Sequence, residues 1–139
     1  MTDRLPKLLV DALGAIAAAQ EFVAGISLQG YLADKMRRSA VERQLEILGE
    51  ACSRLAKLEP HTAGAITDLK LAIALRNRVI HGYDAVDDEV LYATVVDDLD
   101  ALRSDLALLL TARITASRST PQWTSQRQSL HCRSPAPTP

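Results

Sequence analysis

The side chains of this sequence that are best suited to chemistry lie between Arg76 and Asp84. This segment holds a guanidinium at Arg76, an amide at Asn77, an imidazole at His81 and a phenol at Tyr83. An imidazole gains or loses a proton near neutral pH, and a planar guanidinium binds and stabilises anionic oxygen atoms. These residue types are therefore suited to general acid–base chemistry beside an anion.

Arg76 occupies an unusual position in the helical pattern that precedes it. The apolar positions before Arg76 are Ile66, Leu69 and Ile73, which are three and four residues apart. Ile80 continues the pattern four residues after Arg76. Arg76 falls on the same seam, where packing favours an apolar residue. A buried arginine needs a carboxylate or another anion, because an unpaired buried charge is costly. A functional role and a structural ion pair with Glu46 or Glu50 explain it equally well.

His81 is predicted at the C-terminal end of the same helix. The helix dipole favours the imidazolium there. A role as a C-capping residue would by itself account for a histidine at this position. At about 100° per residue, Arg76 and His81 point roughly 140° apart on an ideal helix. A symmetric dimer formed through this helix could bring them together from two chains.

Four helices are predicted from apolar periodicity and from the residues that begin and end helices. The predicted ranges are about 5–23, 34–58, 62–81 and a fourth helix that starts behind residues 87–89 and ends near 113, with a short connector at 27–31. The clearest seam lies on the second helix, at Val41, Leu45, Leu48, Cys52 and Leu55. We therefore predict an all-α protein, an antiparallel four-helix bundle.

The chain divides into a helical domain at 3–113 and a tail at 114–139, which is predicted to be disordered, basic and rich in Pro and Ser. Trp123, in this tail, is given no role. The net charge is −1, and the tail holds three arginines and no acid, so 13 basic and 17 acidic residues before it leave −4. An acidic body argues against coating nucleic acid by charge alone, and any RNA contact must be local.

Composition also restricts the cofactors and the compartment. The two cysteines, Cys52 and Cys132, are far apart, which argues against a disulfide framework and favours a reducing, cytoplasmic compartment. His61, His81 and His131 lack the spacing of metal ligands, so neither a metal nor another cofactor is predicted. No apolar run is long enough to cross a membrane.

The spacing R-x-x-x-x-H-x-Y at Arg76, His81 and Tyr83 resembles the signature of HepT proteins, within the HEPN superfamily of helical proteins. The segment 41–51, Val-Glu-Arg-Gln-Leu-Glu-Ile-Leu-Gly-Glu-Ala, resembles the second helix of that family. The resemblance covers about residues 3–112 and leaves the tail outside. Gly82 departs from it, because a larger residue is frequent between the motif His and Tyr.

The resemblance implies a metal-independent endoribonuclease with Arg76 and His81 as catalytic residues. His81 would deprotonate a ribose 2′-hydroxyl, which attacks the adjacent phosphorus, and Arg76 would stabilise charge on the nonbridging oxygens. Asn77 could orient His81 or the phosphate, and a second His81 across a homodimer could protonate the leaving 5′-oxygen. RNA would be cleaved to a 2′,3′-cyclic phosphate, and DNA would be inert.

The resemblance also implies a toxin–antitoxin pair of the type VII kind. The antitoxin would be an MntA-like nucleotidyltransferase that transfers AMP to the motif tyrosine, here Tyr83. The added negative charge beside Arg76 and His81 would block RNA. The alternative is a noncatalytic, dimeric helical adaptor of a nucleotidyltransferase, in which Arg76 and His81 bind a nucleotide or support the interface.

Overall fold

The computed structural model describes residues 4–81 and 87–118, apart from the side chains of Thr67, His81, Ser117 and Arg118. All regular structure in these residues is helical. The elements are α1 (Leu5–Val23), α2 (Leu28–Ala33), α3 (Lys35–Leu58), α4 (Pro60–Ala65), α5 (Thr67–His81), α6 (Asp88–Ala93) and α7 (Leu99–Arg118), with a π-helical turn, Thr94–Asp98, that joins α6 to α7. The predicted all-α class is confirmed.

The long helices form an antiparallel bundle. α3 packs between α1 and α5, and α7 contacts both α1 and α5. Gln20, near the end of α1, donates to Asp100, near the start of α7 (2.7 Å), so these two helices run in opposite directions. Among the described helices, none combines the length and the apolar character that crossing a bilayer requires.

Helix-capping interactions form the turn between α1 and α3. Gly25 follows the helix end with a φ of 71°, a left-handed conformation that glycine adopts without steric cost. The Ser27 hydroxyl accepts a hydrogen bond from the Gly30 N–H (3.1 Å) and caps α2, which lies where the sequence predicted a short connector. Asp34 caps α3 by accepting from the Arg37 N–H (3.1 Å), and Arg37 Nη1 donates to the carbonyl of residue 22 (2.5 Å), in the last turn of α1.

The predicted third helix is interrupted in the structure. The sequence predicted one helix over about 62–81, whereas α4 ends at Ala65 and α5 begins at Thr67. Ile66 between them has an extended backbone, with φ −101° and ψ 101°. This conformation allows its side chain to be buried in the core. Burial of this β-branched residue thus accompanies the break.

The last helix is longer than predicted. It continues to Arg118, so the boundary predicted at residue 113 lies inside α7. Arg113 forms an ion pair with Glu59, which ties α7 to the start of α4. The apolar seam of α6 and α7 is buried at Leu91, Val95, Leu99, Leu102 and Leu106 and partly buried at Leu109. Residues 119–139, which include Trp123 and most of the predicted tail, lie outside the described residues.

The core is centred on α3. The predicted seam of this helix is confirmed, because Val41, Leu45, Leu48, Cys52 and Leu55 are all buried. Burial raises the pKa of the Cys52 thiol to about 12. The thiol therefore stays protonated at neutral pH and packs as a small apolar group.

A polar cluster joins the first half of α3 to the start of α6. Arg38 forms an ion pair with Asp88 (3.0 Å), and Glu42 lies close to both. Beside them Tyr31 is fully buried and packs against Tyr92, with 5.4 Å between ring centroids. This cluster fixes the start of α6 on the first half of α3.

Glu42 provides a pH-dependent test of this packing. Burial raises the pKa of its carboxyl, and the nearby Asp88 raises it further. The folded protein therefore binds this proton more tightly than the unfolded chain does. The cost of ionising Glu42 is absent below the unfolded-state pKa and complete above the folded-state pKa. We expect Glu42→Gln to raise the free energy of unfolding at pH 7 and to lose this advantage at about pH 4.

Urea unfolding at both pH values measures the difference. Glu89→Gln is the matched control, because this exposed carboxylate lies in the first turn of α6 and favours the positive end of the helix. It should give no gain at pH 7. A gain for Glu42→Gln of equal size at both pH values would show that its ionisation is not the cause.

Candidate active site

Arg76 lies at the edge of the core and not on the buried seam predicted for it. The positions of α5 that face the core are Leu69, Ala72, Leu75 and Val79. Ile73 and Ile80 are only half-buried, and the Arg76 side chain is 28% exposed. This register buries two large apolar side chains, Leu75 and Val79, and leaves the guanidinium within reach of solvent. The prediction that Arg76 lies on the buried seam of this helix is therefore wrong.

The stem of Arg76 packs directly on the backbone of α3. At the contact α3 has a glycine, Gly49, which is itself buried. A methyl group on Gly49 would overlap the Cβ of Arg76 and lie 2.9 Å from its Cγ and Cδ. The absence of a side chain at Gly49 thus allows the close approach of the two helices. This contact also fixes the position of the Arg76 stem, from which the guanidinium extends.

One carboxylate of α3, that of Glu50, holds the guanidinium. Arg76 Nη2 lies 3.0 Å from Glu50 Oε2, and Arg54 Nε donates to the other Glu50 oxygen (2.9 Å). The hydrogen bond from Arg54 lowers the pKa of Glu50, and the charge of Arg76 lowers it further. One turn earlier, Arg43 pairs with Glu46 (3.3 Å). The structural ion pair that the sequence allowed for Arg76 is therefore present.

These groups line an open cleft of about 470 Å³ between α1, α3 and α5. Leu8 and Asp11 contribute from α1, and Ile80 contributes from α5. The cleft thus offers arginines, carboxylates and an apolar wall to a ligand. Within residues 4–81 and 87–118, no three side chains of the metal-ligating types converge.

The remaining motif residues are described in part. Arg76 Nη1 and Asn77 Oδ1 are 3.5 Å apart, and Asn77 is exposed. His81 is the last residue of α5, about 7.5 Å along the helix axis from Arg76. Its side chain, and Tyr83 as a whole, lie outside the described residues. The structure therefore brings Arg76 and Asn77 together and leaves their relation to His81 and Tyr83 as a prediction.

Sequence reasoning missed several residues of the cleft. Arg54 could have been found, because it follows Glu50 by four residues on one helix, a spacing that pairs side chains. Arg43 has the corresponding three-residue spacing to Glu46. Gly49 lies within the segment 41–51 that resembles the second helix of the family, but its contact with Arg76 depends on how two helices cross. No pattern within one helix reveals that contact.

The fold and the cleft define a class of protein, the all-α bundles with a polar motif at the end of the third long helix. A family model described as "Ribonuclease HepT-like" matches residues 12–109. The match covers most of the chain, including Gly49, Glu50, Arg76 and His81. The chain belongs to the HepT-like ribonuclease family.

Individual relatives agree with this assignment. The chain is 35% identical over 95 residues to "Probable ribonuclease HepT" of Thermococcus cleftensis. This match spans 68% of this chain and 86% of that protein. It is 31% identical over 101 residues to "Putative RNase MJ1380" of Methanocaldococcus jannaschii, which spans 73% of this chain and 92% of that protein. No match was found among solved structures.

The contact between Gly49 and Arg76 leads to a specific prediction. We expect Gly49→Ala to displace Arg76 and to destabilise the protein by about 1–3 kcal/mol, the usual cost of overpacking. Alanine is more favourable than glycine in a helix by only about 1 kcal/mol. This gain does not compensate for the overlap with the Arg76 Cβ, which moves only with its backbone. Thermal unfolding measures the change.

Gly14→Ala is the matched control. Gly14 lies within α1, and nothing is within 4 Å of the position its Cβ would take. This substitution should stabilise the protein by about 0.5–1 kcal/mol through helix propensity alone. Equal stabilisation by both substitutions would show that the close approach at Gly49 does not constrain Arg76.

Proposed function

We propose that this protein is a metal-independent endoribonuclease that acts in the cytoplasm as the toxin of a toxin–antitoxin pair. The observation that carries the proposal is the position of Arg76. Its guanidinium is held at the rim of an open cleft, on a helix that ends at His81. The family assignment supports RNA as the substrate, since two relatives carry ribonuclease in their names.

In the proposed reaction, His81 accepts the proton of a ribose 2′-hydroxyl. The 2′-oxygen forms a bond to the adjacent phosphorus while the bond from phosphorus to the 5′-oxygen breaks. Arg76 stabilises the negative charge that develops on the nonbridging oxygens. A second imidazole donates a proton to the departing 5′-oxygen, which leaves a 2′,3′-cyclic phosphate and a 5′-hydroxyl. Asn77 supports the site as a hydrogen-bonding neighbour of Arg76.

The ion pair with Glu50 is compatible with this role. A guanidinium has five N–H donors, and the contact with Glu50 is made through Nη2. Glu50 also forms an ion pair with Arg54, so its charge is shared between two arginines. Arg76 can therefore turn part of its fork toward a phosphate while Glu50 holds the rest.

The second imidazole is proposed to come from a homodimer formed through α5. Within one chain, Arg76 and His81 point about 140° apart on a regular helix. The outer face of α5 is exposed at Ala74 and Asn77, which share one side of the helix with His81. The small Ala74 would let two copies of α5 approach closely. Sedimentation of an active monomer would contradict this arrangement.

The central prediction concerns RNA cleavage. Purified protein should cut single-stranded RNA with EDTA present and leave the matching DNA intact. Its products should carry cyclic phosphate ends. His81→Ala and Arg76→Ala should each lower the cleavage rate by about 10²–10⁴-fold, the usual contribution of acid–base and electrostatic groups. Gel analysis of an end-labelled oligonucleotide measures the rate.

His61→Ala and Arg103→Ala are the matched controls, because both residues are exposed and lie away from the cleft. They should cleave at the wild-type rate. Cleavage of DNA, or unchanged cleavage after loss of His81, would exclude the mechanism.

Control by an antitoxin is the second part of the proposal. An MntA-like nucleotidyltransferase would transfer AMP from ATP to the Tyr83 hydroxyl, with release of pyrophosphate. The bulk and charge of AMP would then exclude RNA from the motif. Coexpression should add one AMP per chain by mass spectrometry, and Tyr83→Phe should abolish the addition while Tyr92→Phe keeps it. AMP on another residue would remove this role from Tyr83.

A second candidate function has support from one observation. Arg76 already has a structural partner in Glu50, as expected for a noncatalytic adaptor that docks a nucleotidyltransferase. In that case Arg76→Ala and His81→Ala would change neither RNA nor growth on induced expression. The cleavage experiment therefore separates the two functions.

A further inference from the structure

A second cleft continues from the one that holds Arg76. It has a volume of about 530 Å³ and lies between the first turns of α1 and the last turns of α3. Its charged lining consists of Arg4, Lys7, Asp11, Arg54 and Lys57. Leu8, Asp11 and Arg54 line both clefts, so the two form one continuous surface. We call the part formed by Arg4, Lys7, Arg54 and Lys57 the basic groove.

The basic groove is available to a ligand. All four of its basic residues are exposed. Within the part of the chain that the structure describes, the ion pairs in the groove are Lys7 with Asp11 (3.7 Å) and Arg54 with Glu50 (2.9 Å). Exposed pairs of this kind contribute little free energy and exchange readily for another anion. Arg4 and Lys57 have no carboxylate of the described residues within ion-pairing distance.

The excess of negative charge in the helical domain lies elsewhere. Residues 87–105, which form α6, the π-helical turn and the start of α7, contain seven carboxylates and a single basic residue, Arg103. The negative charge of the helical domain is thus concentrated in the last part of the bundle. The sum of charges hides a surface that can attract a polyanion.

We infer that the basic groove binds the sugar–phosphate backbone of the RNA strand beyond the scissile phosphate. This inference rests on the proposed function. Lys57 is seven residues from Glu50, or about 10 Å along α3, so the groove begins next to the group that holds Arg76. A strand with its phosphate at Arg76 therefore continues over Arg54 toward Lys57 and Lys7.

The lining also indicates how the strand is recognised. Among residues 4–81 and 87–118, no aromatic side chain lines this cleft, and its apolar lining residues are Leu8 and Leu58. These residues therefore offer no platform for base stacking, which usually adds affinity for single strands. Binding through phosphates alone tolerates any base sequence and weakens with salt. The groove therefore supplies affinity, and base selection must come from elsewhere.

The test uses the full chain and a 2′-O-methyl RNA of about twelve nucleotides, which cannot be cleaved because its 2′-hydroxyls are blocked. Fluorescence anisotropy gives its affinity across a series of salt concentrations. Each phosphate contact contributes about 0.7 to the slope of log K against log salt. The double variant Lys7→Ala, Lys57→Ala should lower the slope by about 1.4 and the affinity at 0.1 M salt by about 25-fold.

Lys35→Ala, Arg103→Ala is the matched control, since it removes the same charge from exposed positions outside both clefts. It should keep the wild-type slope. In cleavage assays the groove variant should raise KM for the long RNA and leave kcat for a dinucleotide unchanged. Equal slopes for both double variants would overturn the inference. It would also be overturned if the groove variant lost a copurifying nucleotidyltransferase but kept the wild-type affinity for RNA.

The failure of the inference differs from failure of the proposed function. If the wild type cleaves RNA and the groove variant keeps its affinity and KM, the groove inference is wrong and the ribonuclease stands. If the wild type binds the blocked RNA through the groove but never cleaves its unblocked form, the groove stands and the proposed catalysis is wrong.

Discussion

The close approach of α3 and α5 at Gly49 is the constraint on which the candidate site depends. An arginine at a helix crossing normally keeps its helix at a distance, because its stem needs room. Here the missing side chain of Gly49 provides that room, and Arg76 lies on the backbone of α3. Glu50, the next residue, then receives the guanidinium. Two adjacent residues of one helix thus set both the start and the end of a side chain on another.

The motif helix is therefore held from two directions. In its middle, Arg76 is fixed on α3 by packing and charge. The next described helix, α6, has its first turn fixed to the other half of α3 by the ion pair between Asp88 and Arg38. The residues between these two anchors include His81 and Tyr83. α3 thus serves as the common support for both ends of the segment that holds the proposed site residues.

The sequence predicted the elements well because their causes are local. The start of α3 follows from the capping side chain of Asp34, and its seam follows from side chains three and four residues apart. The register of α5 did not follow, because this helix offers two apolar stripes that share Leu69. The choice between them depends on the groove presented by α3, where Gly49 accepts Arg76 and the core accepts Leu75. Tertiary packing decided between two local patterns of similar quality.

The distribution of charge shows the same limit at the level of the whole surface. A net charge of −4 before residue 114 argues against a nucleic-acid-binding surface if the charges are summed. Folding, however, places the N-terminal basic residues of α1 beside the C-terminal basic residues of α3, because these helices are antiparallel. Residues 50 positions apart in the chain then act on one ligand, while the carboxylates of α6 and α7 lie on other helices. Since screened electrostatic forces act over only about 10 Å, this local arrangement determines what the surface binds, and the sum over the chain does not.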